Sequence, residues 1–425
     1  MAQLNIPTIA PTLNQVVGDL QQQFENQVIV FNAVTKRGKK NFVNGKGERI
    51  PSQFRRPTGI TAGQEGFSFN APGLPRWDDM YVYPAEVALA YELSARTIRN
   101  FNAGSEYTQI EGMSDYLARV SDALTKDLER NMFGNGSGLR AQCTSASGST
   151  ITFTTAPASA YGSTKGAVWV EIGEVYDVIT STGTVRGQFK ATSSTATTAT
   201  GTFVGFAAAD IASTDFLVPS GGYQNFPNGF AGIINNDTGT FQLQSRATYP
   251  QLKANVVDLA GGAITVSDFH QAVAFIGIRG DDSSQSANGQ KGINAWMSWA
   301  QHDALLRLGQ NLKRFAGTDS KFDGSFQSFG FGNVIISKAV DCDEDRIYFV
   351  NMDDLFCLEE KPFGVYDDDG NQLRMKAGTA GVGSTSFTGA MGVAYQLACM
   401  QPRKHSLIKR AAITSLPTQV VAYGG

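Results

Sequence analysis

The sequence predicts an α+β subunit into which a small all-β unit is inserted. One helix and two compositional breaks carry that expectation. Hydrophobic spacing marks a long amphipathic helix over 105–133, a Ser/Thr-rich stretch poor in charge opens at Cys143, and mixed helix and strand patterns resume after Gly222. The chain has 425 residues, which at roughly 150 residues per domain predicts about three structural units. With 42% hydrophobic residues it has the material for a packed core, and global disorder is excluded. Only 17% of residues are charged, against a usual ~25%, so much of the surface is expected to lie against neighbouring subunits.

The first element expected is a helix from Thr12 to about Val34, because Leu13, Val16, Val17, Leu20, Phe24, Val28 and Phe31 recur at spacings near three and four. Residues 36–76 are rich in Gly, Pro and basic residues. Asn44-Gly45, set between Asn41-Phe42-Val43 and Arg49-Ile50, reads as the tip of an extended basic β-hairpin projecting from the body. The 105–133 helix is the clearest element: Ile110, Met113, Leu117, Val120, Leu124 and Leu128 form its core stripe. Asp115/Arg119 and Asp122/Lys126 sit four apart on the outer face. Gly134-Asn135-Gly136-Ser137-Gly138 then ends it where left-handed backbone is needed.

Between Thr144 and Thr202, 23 of 59 residues are Ser or Thr. Val168–Ile172 and Gly201–Phe206 are expected as strands, with Trp169, Tyr176, Phe189, Phe203 and Phe216 as core of an autonomous β unit of about 80 residues; a low-complexity linker is the alternative. After Gly222, Thr265 and Asp268 open a helix carrying Phe269, Val273 and Ile276. Ala295-Trp296-Met297 reads as a strand. Ser298 with Gln301 is expected to form a capping box for a helix with Leu305, Leu308, Leu312 and Phe315, stopped by Gly317. Asn333–Ser337, Arg346–Val350 and Gly392–Ala398 are the remaining strands.

Catalytic, cofactor and metal signatures are not found. The three histidines, His270, His302 and His405, fall on different elements, and no phosphate-cradling Gly-Lys-Ser/Thr loop or Gly-x-Ser-x-Gly elbow occurs. Cys143, Cys342, Cys357 and Cys399 have no paired spacing and read as buried free thiols. Asp367-Asp368-Asp369-Gly370 fails as a calcium loop, because Val365 and Lys376 stand where oxygen ligands are required. The start of the chain is neither basic nor apolar, and no apolar run reaches the ~18 residues of a membrane span. The expectation is a soluble intracellular product with no membrane partner.

The 35 Lys+Arg and 38 Asp+Glu nearly cancel, but they are separated along the chain. Residues 31–60 hold Lys36, Arg37, Lys39, Lys40, Lys46, Arg49, Arg55 and Arg56 against Glu48 alone. Residues 341–370 hold eleven acids, among them Asp341, Asp343, Glu344, Asp345, Asp353 and Asp354, against two bases. A basic arm and an acidic patch on one chain suit head-to-tail contact between copies. Two unrelated solvated faces are the alternative. Nucleic-acid binding by the arm is disfavoured because no aromatic stacking platform lies among its cations.

Taken in order, these elements resemble the major capsid protein of tailed bacteriophages, the Hong Kong 97-type fold. Ala295-Trp296-Met297-Ser298 leading into Asp303–Leu308 is similar to the strand-into-helix segment of the family's axial domain. Asn333–Ser337 through Ile347–Leu355 is similar to the strands that follow it. The resemblance implies an N-terminal arm (1–35), an extended loop (36–80), a peripheral domain with the spine helix (81–142), the β insertion (143–222), a peripheral return (223–263), an axial domain (264–385) and C-terminal strands (386–425). It implies a non-enzymatic virion protein assembled in the host cytoplasm. Hexamers and pentamers would form an icosahedral head around double-stranded DNA, with a separate scaffold protein, a portal protein and a cement or decoration protein as partners. A separate scaffold is expected because the chain leaves no room for a scaffolding segment before its arm helix. Some relatives form Lys–Asn isopeptide bonds, for which Lys39 or Lys46 offers the amine. A nanocompartment shell of the same fold, like the encapsulins, is the alternative, and a metal-dependent hydrolase using Asp341, Asp343 and Asp345 a distant one.

Overall fold

One long helix organises a series of small sheets. The structure, a computed structural model, describes residues 30–31, 33–34, 40–41, 47–55, 58–62, 68, 70–71, 73–94, 106–156, 161–280, 293–313, 330–331, 334–366, 374–377 and 383–413. In chain order the first elements are β1 (Lys40–Asn41), β2 (Glu48–Arg55), β3 (Arg76–Val82), β4 (Ala85–Ser94) and α1 (Glu106–Phe133). Then come β5 (Ala141–Ser147), β6 (Thr150–Phe153), β7 (Val175–Ile179), β8 (Val185–Ser194), β9 (Thr198–Val204) and β10 (Phe216–Pro219). The remainder comprises α2 (Phe230–Ile233), β11 (Thr240–Phe241), β12 (Gln244–Ser245), β13 (Asn255–Asp258), α3 (Val266–Gly280), β14 (Ile293–Met297) and α4 (Trp299–Lys313). It ends with β15 (Gly330–Phe331), β16 (Val334–Lys338), β17 (Ile347–Asn351), β18 (Leu355–Val365), β19 (Arg374–Ala377), β20 (Gly383–Cys399) and β21 (Ser406–Lys409).

The inward stripe of α1 is Leu117, Leu124, Leu128, Met132 and Phe133, each at most 2% exposed. Val120 is half-buried against the same core, and the side chains of Ile110 and Met113 lie outside the described residues. Beneath the helix, β20 pairs with β4 on one side and with β18 and β19 on the other, and β1 joins β18 in parallel. Val87, Tyr91 and Leu93 of β4 alternate inward, as a strand with one covered face requires. Phe133 closes the lower end of the helix edge-on against Phe230, with Tyr348 of β17 beside both. Val30, Phe31 and Val34, at the end of the expected arm helix, are helical and buried in this core. The rest of that helix lies outside the described residues.

The glycine stop after α1 has a steric reason. Gly136 and Gly138 hold φ of 78° and 74°, and a Cβ on Gly138 would lie 2.5 Å from the Phe226 ring. The chain then enters a closed barrel, ordered β10-β5-β6-β9-β8-β7, whose core includes Cys143, Ile151, Phe153, Tyr176, Val178, Phe189 and Leu217. Two expectations for this region are corrected. Val168–Ile172 is not a strand, and Trp169 packs beside Tyr161 in the main core instead of the barrel's own. Its apolar neighbours Val168 and Val170 mimic strand composition, but Gly166 and Gly173 on either side hold positive φ and turn the chain.

The third layer is a six-stranded sheet, ordered β13-β21-β17-β14-β16-β15. Strand β17 is buried throughout because it separates two cores. Ile347 and Phe349 face Phe269, Ile276 and Leu305 of the helices, while Tyr348 and Val350 face the spine-helix core. Thr265 and Asp268 cap α3 reciprocally. The box at α4 is only half made. Gln301 N–H donates to Ser298 Oγ, but the Gln301 amide donates to the carbonyls of Glu344 and Ala412, tying the helix start to the sheet.

Sheet membership also redraws the expected units. Residues 255–258, expected in the peripheral return, pair with β21 in the six-stranded sheet. Residues 355–365 and 374–377, expected in the axial domain, pair with β20 beside α1. The expected hairpin changes as well. Asn41 pairs with Glu359, and β2 pairs with β3 instead, bringing Ile50 and Met80 together in the core. Burial of that apolar pair sets the register of β2 on β3, and the expected tip at Asn44-Gly45 lies outside the described residues. The hairpin therefore bends beyond residue 58, where Thr58 bridges to Gly73.

Candidate inter-subunit surface and a buried charge seam

The hairpin carries large apolar side chains in solvent. Ile60 is 94% exposed, Leu74 81% and Trp77 61%. Isolated exposed apolar residues are ordinary, but three on one slender ribbon make it a candidate contact surface. Its base is fixed to the body, where Tyr249 donates to Asp78, Gln244 to the carbonyl of Asp79, and Gln251 to the carbonyl of Phe54. Of the basic residues singled out by charge, Arg49 is exposed and pairs with Asp79 at 2.7 Å, Arg55 is exposed, and Lys40 lies in β1 opposite Leu358. Lys36, Arg37, Lys39, Lys46 and Arg56 lie outside the described residues.

The acidic stretch is not one surface patch. Asp343 and Asp345 are fully buried. Asp343 accepts the N–H of Gly162 at 2.9 Å and the hydroxyl of Thr164 at 3.1 Å, and Arg346 Nε lies 3.5 Å away. Asp345 lies 3.6 Å from the same Nε. Asp341 is half-buried and faces Arg130 at 3.7 Å; burial raises its pKa, against the pull of Arg130 and Lys165. Glu344 donates its N–H to Thr164 Oγ, and Lys165 donates to the carbonyl of Val340. Arg130 reaches both Asp127 and Glu171 at 3.0 Å, while Arg140 reaches Asp127 at 3.1 Å. Together these groups form a charge seam joining α1, the barrel's 161–165 loop and the 340–346 turn. A buried ionic group holds only when paired, so the acids cluster where Arg130, Arg140 and Arg346 converge.

Two expectations are thereby corrected. Asp343 and Asp345 are spent inside the chain and cannot meet a neighbour's loop. Nor do Asp341, Asp343 and Asp345 form an open carboxylate set for a hydrolase, since Asp343 is held by Gly162, Thr164 and Arg346, Asp345 lies beside Arg346, and Asp341 faces Arg130. Asp353 is exposed, and Asp354 is half-buried in a separate cluster. The arginines within and opposite the acid run are the sequence signal that charge counting passed over.

That separate cluster joins Asp354, Cys399 and His405, whose donor atoms lie within 4.8 Å of one another. The geometry suits a hydrogen-bonded clip. Asn351 N–H donates to His405 Nδ1 at 3.0 Å, so Nδ1 holds the lone pair and Nε2 the proton. Nε2 faces Cys399 Sγ at 3.2 Å, and Sγ in turn lies 3.1 Å from Asp354 Oδ2, which also accepts Gln401 N–H. A metal would need the Nε2 lone pair, which the tautomer withholds. Burial and Asp354 push the Cys399 thiol well above its ordinary range, so it is no nucleophile. All four cysteines are buried and free.

Among the described residues no helix is long and apolar enough to cross a membrane. No protein-family profile and no curated protein matches the chain. Among solved structures it is similar to the cyanophage A-1(L) capsid asymmetric unit, with a TM-score of 0.53 at 11% identity, covering 90% of this chain and 93% of that one. It is also similar to the capsid of the native GTA particle, with a TM-score of 0.47 at 11% identity over 90% of each chain. The correspondence of fold rests on the first.

Proposed function

We propose that this chain, which has the Hong Kong 97-type α+β capsid fold, is the major capsid protein of a tailed phage. The observation that carries the reading is the match of fold to a phage capsid subunit across nine-tenths of both chains. Two features support it. The apolar residues of the hairpin are exposed in the isolated subunit, as expected of a surface completed by a neighbour. The ionisable clusters are consumed by structure: the acids by the charge seam, and Cys399 and His405 by the clip.

In this reading hexamers and pentamers of the chain close an icosahedral head around double-stranded DNA, which is packed without sequence-specific contact. A scaffold protein, a portal and a cement protein are the partners, and the virion is the location after assembly in the host cytoplasm. Residues 1–35 act as the arm, 36–80 as the loop and 81–142 as the spine-helix domain; 143–222 is an insertion. The experiment is sedimentation of native particles containing the chain, followed by nuclease protection and extraction. Double-stranded DNA protected inside the particle is the expected result. A particle holding only a folded enzyme would assign the nanocompartment role instead.

A further inference from the structure

Beside the stem of the barrel lies a cleft of about 490 Å³, walled by the glycine stop after α1, the β7–β8 turn, the start of β10, the 223–228 loop and one residue of β20. Among the described residues no acid, lysine, arginine or histidine lines it. Arg140, which stacks on the Phe226 ring, is buried and paired with Asp127. In place of charge the walls carry the amides of Asn135, Gln224, Asn228 and Gln396 and the rings of Tyr223 and Phe226.

These polar groups are held in place but not used up. Gln396 accepts the N–H of Asn228 through Oε1 at 2.7 Å, which leaves its Nε2 as a donor. Asn135 Oδ1 accepts the N–H and the hydroxyl of Ser137, which leaves Nδ2. Gln224 holds a left-handed φ of 61° and donates its own N–H to the carbonyl of Ser137. Among the described residues neither its side-chain amide nor the Tyr223 hydroxyl has a hydrogen-bond partner. The Tyr223 ring is seated against Gly183 of the β7–β8 turn, where a Cβ would come within 3.0 Å of it. A site whose donors, acceptors and ring are already fixed loses little entropy on binding.

The composition of the walls selects the ligand. An ion would be desolvated there without a counter-charge, and a purely apolar molecule would leave the amides unpaired. Strands β7 and β10 each have a neighbour on both sides in the closed barrel, so an extended peptide finds no free edge to join. A neutral saccharide meets none of these obstacles. Its hydroxyls donate and accept as side-chain amides do, and its C–H groups pack on the electron-rich face of an aromatic ring. We propose that this cleft binds a neutral saccharide, with Tyr223 as the aromatic wall and Gln224 and Gln396 as amide partners. The inference goes beyond the assembly reading and does not depend on it.

A glycan array probed with the labelled full-length chain tests it, with neutral hexose and N-acetylhexosamine oligosaccharides printed beside their sialylated and sulfated counterparts. Binding confined to neutral glycans is expected. The strongest of these, titrated in solution as the free oligosaccharide, should bind about tenfold more weakly to Tyr223→Ala and to Gln224→Ala. Gln224 is exposed, so its replacement should leave the melting temperature unchanged. Tyr223→Phe keeps the ring and should lose less than Tyr223→Ala. An array on which no neutral glycan is bound, a preference for sulfated or sialylated glycans, or an affinity unchanged in either folded alanine variant would each overturn the inference. None of these outcomes bears on the capsid reading, which particle sedimentation and nuclease protection decide.

Discussion

The Asp343 carboxylate lies 3.1 Å from the hydroxyl of Thr164, a contact between residues 179 positions apart that ties the barrel's 161–165 loop, between β6 and β7, to the turn leading into β17 of the six-stranded sheet. With the Gly162 amide and Arg346 it makes Asp343 the centre of the seam. Removing one partner of a buried ionic network leaves the other charge unpaired, a loss of about 3–5 kcal/mol. Asp343→Ala should therefore lower the stability measured by urea unfolding by that amount. A change under about 1 kcal/mol would show that the seam is solvated and holds nothing together.

Leu124 is 2% exposed on the inner face of α1. Truncating a buried leucine costs about 2–5 kcal/mol. Leu124→Ala should give insoluble or early-melting subunits, whereas the same change at half-buried Val120 should cost less. Soluble Leu124→Ala subunits with an unchanged melting temperature would place that face outside the core.

The helix, its glycine stop and the Thr265–Asp268 cap were legible because their signals are local: spacing, left-handed positions and a three-residue box. The strand-to-helix step at Trp296 to Leu305 was legible for the same reason. What escaped depends on distant partners. The hairpin register was settled by Ile50 meeting Met80, and the acids at 341–345 were drawn inward by Arg130 and Arg346. Counting charges along a chain assigns them to the surface by default, and only the fold shows which ones a distant arginine neutralises. Trp169 was misplaced in a similar way, since an aromatic among valines has strand composition whichever core it joins.

His302 is buried near Lys338. Burial first, and Lys338 second, lower its pKa below the ordinary value, while Asp303 opposes them weakly. The unfolded chain thus takes the proton first, so stability is full above about pH 6.5 and falls as pH drops toward the folded value. Pairs such as Asp258–Arg410, whose carboxylate pKa is lowered chiefly by the arginine, act only below about pH 4. Between pH 7.5 and 5, urea midpoints should fall more in the wild type than in His302→Gln. Parallel pH profiles would contradict this placement of His302.

The His405 tautomer makes a chemical prediction. Because Nε2 carries the proton and the Cys399 thiol is held protonated, added zinc should leave the melting temperature unchanged, and a thiol reagent should react only after unfolding. A zinc-dependent rise in melting temperature that disappears in His405→Ala would show a metal centre and overturn the clip.

The central claim is that the chain builds a shell, and electron microscopy tests it most directly. Purified full-length chain should be imaged alone and after co-expression with the proteins encoded beside it, at low and at ~1 M salt, where charge screening reaches only ~3 Å. The account predicts closed shells or their six- and five-fold capsomers, forming more slowly at high salt. Monodisperse single subunits under every one of these conditions would contradict it.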